Sequence, residues 1–260
     1  MSIPKNMTSR FYEIDILRGI AVILMIFYHF FFNLDYFHIL AMPSLFWIQQ
    51  SFGVITILFI LIAGISLSLA AFKAKDSKII TKKFILRGIK LFSIGMFITI
   101  VTWIYPHNGF ITFGVLHFIG LSTILAIPFL INVGKKQNKM SWTIPLLFGF
   151  VVLALTPIIQ KIHGPLYLAP LGIHPILFYT LDYEPLFPWF TVILIGIALG
   201  FLLYPNGKRR FDLPSKIQNI PNILKPLSFL GQHSLIIYLI HQPIILGILY
   251  LVGIIDLGIF

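Results

Sequence analysis

The stretch Asp15-Ile-Leu-Arg-Gly-Ile-Ala-Val-Ile-Leu-Met-Ile-Phe-Tyr-His29 decides the fold. It lies in an apolar run long enough to cross a bilayer, yet it holds an acid, an arginine and an imidazole. Ionisable groups are expensive in hydrocarbon, so they face a protein interior or a wet cavity and mark a functional path. At about 100° per residue, Asp15, Arg18, Val22, Met25, His29 and Asn33 share one stripe of a helix. Ile16, Ile20, Ile23, Phe27 and Phe31 fall opposite, where they suit lipid. Arg18 and His29 then stand about 16 Å apart along the axis. That separation suits a long substrate that enters at one side and reacts near the other.

The rest of the chain agrees with a membrane setting. Of 260 residues, 58% are hydrophobic and only 10% charged, with 26 Phe and a mean hydropathy of +0.96. This balance excludes an ordinary soluble domain and predicts an all-α, polytopic helix bundle, a single transmembrane domain over residues 1–260. The absence of cysteine excludes disulfides, thiolate catalysis and cysteine-ligated metal clusters. The formal charge of +11 is spread between apolar runs and forms no compact basic domain, so it reads as a set of topology signals and not as a nucleic-acid surface. The first apolar segment is too long for a signal-peptide core and lacks a small-residue cleavage site, so it is expected to stay as a span.

Runs of about 20 apolar residues, the length that crosses ~30 Å of hydrocarbon, fall near 13–33, 51–72, 84–105, 111–132, 142–160, 186–204 and 230–252. Lys5 and Arg10 precede the first. Lys73, Lys75, Lys78, Lys82 and Lys83 separate the second from the third. Lys135, Lys136 and Lys139 follow the fourth, and Lys208, Arg209, Arg210, Lys216 and Lys225 follow the sixth. The loops 34–50, 106–110 and 161–185 carry almost no Lys or Arg. Seven spans with a cytoplasmic N-terminus, in the cell membrane, satisfy this alternation. The Pro-rich segment 164–188 is expected to be a re-entrant or interfacial helix on the outer side; as an eighth crossing it would break the alternation. No internal repeat marks inverted halves.

Histidine titrates near neutral pH, so His29 in a partly dry site is a natural general base, with His38 just beyond it in the following loop. The alternative for His29 is a packing histidine bonded to a carbonyl. Lys83, Arg87 and Lys90 stack on one helix face; they either snorkel to headgroups or, with Arg18, bind a phosphate-bearing ligand. Asp15 either orients Arg18 or caps the helix start. His117 serves equally well as an interhelical hydrogen-bonding residue or as a substrate contact. Asp182 and Glu184, two acids in an otherwise nearly chargeless outer loop, either pair with an imidazole or hold a polar acceptor, or are simply exposed to water, and Trp189 is placed as an interface anchor or substrate contact. Ser234, Tyr238 and His241 stack on the last span, which Pro243 is expected to kink into a cavity lining. No His-x3-His spacing supports a metal site, and no Gly-x-Ser-x-Gly elbow supports a serine hydrolase.

Ile14-Asp15-x-x-Arg18-Gly19-Ile-Ala, with His29 fourteen positions after the acid, resembles the opening helix of the transmembrane acyltransferase superfamily. More closely, the chain is similar to short prokaryotic members of the heparan-α-glucosaminide N-acetyltransferase catalytic-domain family. The similarity runs through Phe46-Trp47, Arg87-Gly88, Gly114-Val115-Leu116, Asp182-Tyr-x-Pro185 and Leu230-Gly-Gln-His-Ser to His241-Gln-Pro. It implies transfer of an acetyl group from acetyl-CoA to an amine or hydroxyl of a sugar-like acceptor across the membrane, without metal. His29 takes the place of the superfamily's catalytic histidine. The lysosomal relatives carry Asn there and a histidine later, where this chain has His38, so the base is either His29 or His38. Arg18 and Arg87 match basic positions that hold CoA phosphates. Exposed Phe-rich faces permit a homodimer. The competing readings are a proton- or anion-coupled transporter using the same buried charges, and a scaffold indifferent to Arg18 and His29.

Overall fold

The computed structural model describes residues 11–39, 45–74, 76–131, 141–211 and 221–256; for 45–51 it describes the backbone alone. The topology signals Lys5, Arg10, Lys75, Lys135, Lys136, Lys139 and Lys216, and the side chains of Phe46 and Trp47, lie outside the described residues. The described residues are helical, with two isolated bridges and no strand. The helices are α1 Tyr12–Tyr36, α2 Leu45–Ala74, α3 Ser77–Ile104, α4 Val115–Leu125, α5 Ile127–Leu130, α6 Thr143–Ile159, α7 Leu186–Leu203, α8 Lys225–Gln232 and α9 Ser234–Leu251. Among the described residues five stretches are long and apolar enough to cross a bilayer: α1, Phe52–Ala74 of α2, α3, α7 and α9; α4 and α6 are shorter apolar helices. The chain is thus an all-α polytopic membrane protein.

It divides into two compact units, one of residues 1–62 and 213–260, the other of 63–212, with the boundary inside α2. In the first unit the stripe read from the sequence turns inward: Asp15, Val22, Met25 and Asn33 are buried, and Arg18 and His29 half-buried. Ile20 and Phe27 on the opposite side are exposed. Phe31 departs from the expectation. It packs with Ile26, Phe37 and Leu246 around Leu34, Ile245, Leu249 and Ile255, because the end of α1 meets α9 on both sides of its wheel. Lower down, α1 crosses α8 at backbone distance. A Cβ on Gly19 would collide with the carbonyl oxygen of Leu227, and one on Gly231 with that of Asp15. Only glycine permits this approach, the small-residue packing common between membrane helices.

The last apolar run is not one helix. It breaks at His233, between α8 and α9, and α9 continues through Pro243, which stays inside it. The break lies ten residues before Pro243, the position where the sequence predicts a kink. The ring removes only the hydrogen bond that its missing N–H would make, and membrane helices tolerate that loss where neighbours satisfy the freed carbonyl.

In the second unit α3 packs on α4 through Phe84, Gly88, Leu91 and Gly95, and a Cβ on Gly88 or Gly120 would meet the other helix. The fourth run is helical only from Val115. Residues before it are held to the end of α3, where Thr99 Oγ1 donates to Ile111 O at 2.6 Å and Ile111 N–H donates to Thr102 Oγ1 at 3.0 Å. Before α7 starts at Leu186, the segment 164–188 contains no long helix, only a six-residue 3-10 helix at Leu166–Leu171. Pro165, Pro170 and Pro175 remove three N–H donors, which forbids a continuous α-helix there. The following residues bond instead to the 107–114 loop: Leu181 N–H to Gly109 O at 2.7 Å and Glu184 N–H to Phe113 O at 3.0 Å. The C-terminal ends of α3 and α6 and the N-terminal ends of α4 and α7 therefore lie at one end of this unit.

Candidate active site

In the first unit four side chains from two helices meet as two pairs. His29 of α1 and His241 of α9 stand edge to face, their ring centroids 4.7 Å apart at 75°. One turn on, Asn33 and Gln242 close a reciprocal amide pair: Asn33 Nδ2 donates to Gln242 Oε1 at 3.1 Å and Gln242 Nε2 donates to Asn33 Oδ1 at 3.0 Å. The amide pair satisfies two polar groups that would be costly in an apolar bundle and sets the register of α1 against α9. Gln242 stood in the sequence beside His241, but only its meeting with Asn33, 209 positions away, reveals its task.

The histidine pair carries a definite proton arrangement. His29 Nδ1 lies 2.9 Å from Met25 O, and His241 Nδ1 lies 2.6 Å from Tyr238 O. A carbonyl can only accept, so both rings carry their proton on Nδ1, which leaves Nε2 with a bare lone pair in the neutral ring. His241 is buried, and its Nε2 has no hydrogen-bond partner among the described residues. A buried acceptor left unmet costs about 1–3 kcal/mol, which marks it as awaiting a donor. Tyr28 meets His29 edge-on, and Tyr238 tilts against His241. His38 lies past the end of α1, exposed, at φ +56°.

Arg18, farther down α1, is anchored: its Nη1 donates to Asp15 Oδ1 at 3.2 Å and to Gly231 O at 3.3 Å. Asp15 thus orients the arginine, and the guanidinium neutralises the carbonyl end of α8, where a positive charge is favoured. Gly19 and Gly231, which border these contacts, are the close-approach positions described above.

The second unit holds the remaining candidates. His117 is 1% exposed and both its nitrogens are occupied. Gly114 N–H donates to Nδ1 at 3.2 Å; Nε2–H donates to Thr99 Oγ1 at 3.2 Å, whose own hydrogen goes to Ile111 O. Phe92, Phe113 and Gly95 wall the ring. His117 therefore does the work of a helix-start residue and joins α3 to α4, leaving no nitrogen for a substrate. Asp182 Oδ2 accepts from Val115 N–H, the first N–H of α4, at 3.1 Å. Burial pushes its carboxyl up to about 6, opposed by that hydrogen bond. Its neighbour Tyr183 donates to Ala169 O at 2.8 Å, and burial raises its phenol to about 12. Glu184, the second acid of this loop, is completely buried, so it is not an aqueous loop acid. Trp189 is half-buried near the start of α7.

Lys83, Arg87 and Lys90 lie on the exposed face of α3, each one residue before a residue packed on α4. None of the three has an ion pair among the described residues. They are cations free to meet an anionic ligand. Arg87 stands about 15 Å along α3 from Ser77.

A family described as Heparan-alpha-glucosaminide N-acetyltransferase, catalytic, matches residues 10–243. Comparison with curated proteins and with solved structures gave no match.

Proposed function

The chain belongs to the heparan-alpha-glucosaminide N-acetyltransferase catalytic family, and from that premise we propose a membrane acetyltransferase that moves an acetyl group from acetyl-CoA to an amine or hydroxyl of a saccharide-like acceptor. One observation carries the assignment of its base: His29 is locked by Met25 in the tautomer that leaves Nε2 unprotonated. An imidazole in that form takes the acceptor's proton as its nitrogen or oxygen attacks the thioester carbonyl, and then returns the proton to the departing thiolate. His38 has no such fixed geometry, which favours His29 over it. His241 and Tyr238 supply hydrogen-bond partners to the acceptor beside the base.

The donor's phosphates call for cations without protein partners, and Arg87 with Lys83 and Lys90 fits that requirement, Arg87 through its bidentate fork. Arg18 is tied to Asp15 and Gly231, and contributes positive charge near the start of α1. Acetyl-CoA reaches these cations from the cytoplasm and the acceptor lies on the outer side, in the cell membrane.

The test uses the full chain in lipid vesicles with acetyl-CoA and amine or sugar acceptors. His29→Ala is expected to lose transfer by about 10²–10⁴-fold while CoA binding persists, and Arg87→Ala to weaken CoA binding. Normal turnover in both variants overturns the assignment, and a wild-type chain that binds CoA without transferring acetyl overturns the reaction.

A further inference from the structure

Between Ile162 and Leu181 the chain has no Asp, Glu, Lys or Arg, yet it turns large apolar side chains outward. Leu177 is 96% exposed, Ile176 79% and Tyr167 78%, with Tyr179 and Leu166 exposed beside them. These residues belong to a braced loop. Gly164 N–H donates to His174 O at 3.2 Å, the His174 ring stacks on Phe178 with centroids 4.6 Å apart, and Tyr183 holds Ala169 O. A soluble loop with such a display would be a liability, since apolar patches of this kind mark a binding surface.

We propose that residues 164–179 are an interfacial anchor, whose Leu166, Tyr167, Ile176, Leu177 and Tyr179 side chains lodge in the headgroup region of the bilayer. The segment lies between the apolar helix α6, which ends at Ile159, and α7, which starts at Leu186 and is long and apolar enough to cross a bilayer, so it stands close to the end of a span. The 107–114 loop at the end of α3 accepts hydrogen bonds from Leu181 and Glu184, just past the segment, and Tyr179 packs over its Gly109, while Trp103 and Tyr105 at that end of α3 are exposed. Trp103, Tyr105, Tyr167 and Tyr179 thus form the aromatic belt found at a membrane surface. Depth is limited by the backbone. An irregular segment cannot enter hydrocarbon facing lipid, because its N–H and C=O groups need partners, so the side chains dip while the chain stays among headgroups. Three prolines reduce the number of donors to be satisfied. This inference does not rest on the proposed reaction.

The chain has no cysteine, so single cysteines at Leu177, Ile176 and Tyr167 accept a nitroxide label without further changes. In vesicles, collision with oxygen, which concentrates in lipid, is compared with collision with a water-soluble nickel chelate. Labels at Phe150 on α6 and at Lys208, both exposed, give the lipid and water references. The proposal expects labels at 177 and 176 to favour oxygen, close to the Phe150 label, with 167 intermediate. Labels at 177 and 176 that match Lys208 would place the loop in water and overturn it. Labels shielded from both reagents would overturn it in favour of a protein partner.

Discussion

His29 and His117 are both imidazoles in apolar helices, and their ring nitrogens separate them. His117 has a partner on each nitrogen; His29 has one on Nδ1 alone. Replacing His117 by Ala strips Gly114 N–H of its acceptor and leaves a void beside Phe92, so a loss of roughly 1–3 kcal/mol is expected, read as a lower melting temperature. His29→Ala is expected to melt near wild type while losing transfer. Asp182 makes a pH prediction. Its folded carboxyl, at about 6, stands above the ordinary value of 3.8, so the folded state holds the proton more tightly than the unfolded chain does. That contribution is fully present below pH 4 and is lost as pH rises through about 6. Asp182→Asn keeps an oxygen for Val115 N–H and titrates nothing. Its stability in detergent is therefore expected to fall less between pH 4 and 7 than that of the wild type, by on the order of 2–3 kcal/mol; equal slopes would contradict the burial argument.

Elements are joined here by small contacts that a hydropathy pattern does not weigh. The α1–α8 crossing depends on two glycines whose missing Cβ atoms let backbones touch. Gly231→Ala is expected to force the helices apart and cost about 1–3 kcal/mol. It should also loosen Arg18, whose bond to Gly231 O sets its position. A melting curve together with CoA titration reads both effects. The α1–α9 register is held by Asn33 and Gln242. Because each amide is the other's partner, Asn33→Ala and Gln242→Ala should destabilise by similar amounts, and the double variant by much less than their sum. The break at His233 and the intact helix through Pro243 follow the same logic. A helix ends where its carbonyls find other partners, here Arg18 for Gly231, and a proline is tolerated where they do.

For the whole molecule, the testable quantity is ligand linkage. A donor that binds the folded chain alone raises its apparent stability by about 2.7 kcal/mol at a hundredfold excess over Kd. Acetyl-CoA is expected to raise the melting temperature of the wild type, and Arg87→Ala to blunt that rise. The sequence by itself determined the membrane class, the helical content, the apolar runs and the inward stripe of α1. Hydropathy and a 3.6-residue period are local properties, written within each 20-residue window. It also carried the family, through Asp15, Arg18, Gly19 and His241-Gln-Pro. Only tertiary structure decided that His29 meets His241, that Asn33 meets Gln242, that His117 and Asp182 serve the start of α4, and that the 164–179 segment is a braced loop. Each of these rests on a partner that a local window does not contain. Which nitrogen is left bare, and which glycine must stay small, depends on the chain that folds against it.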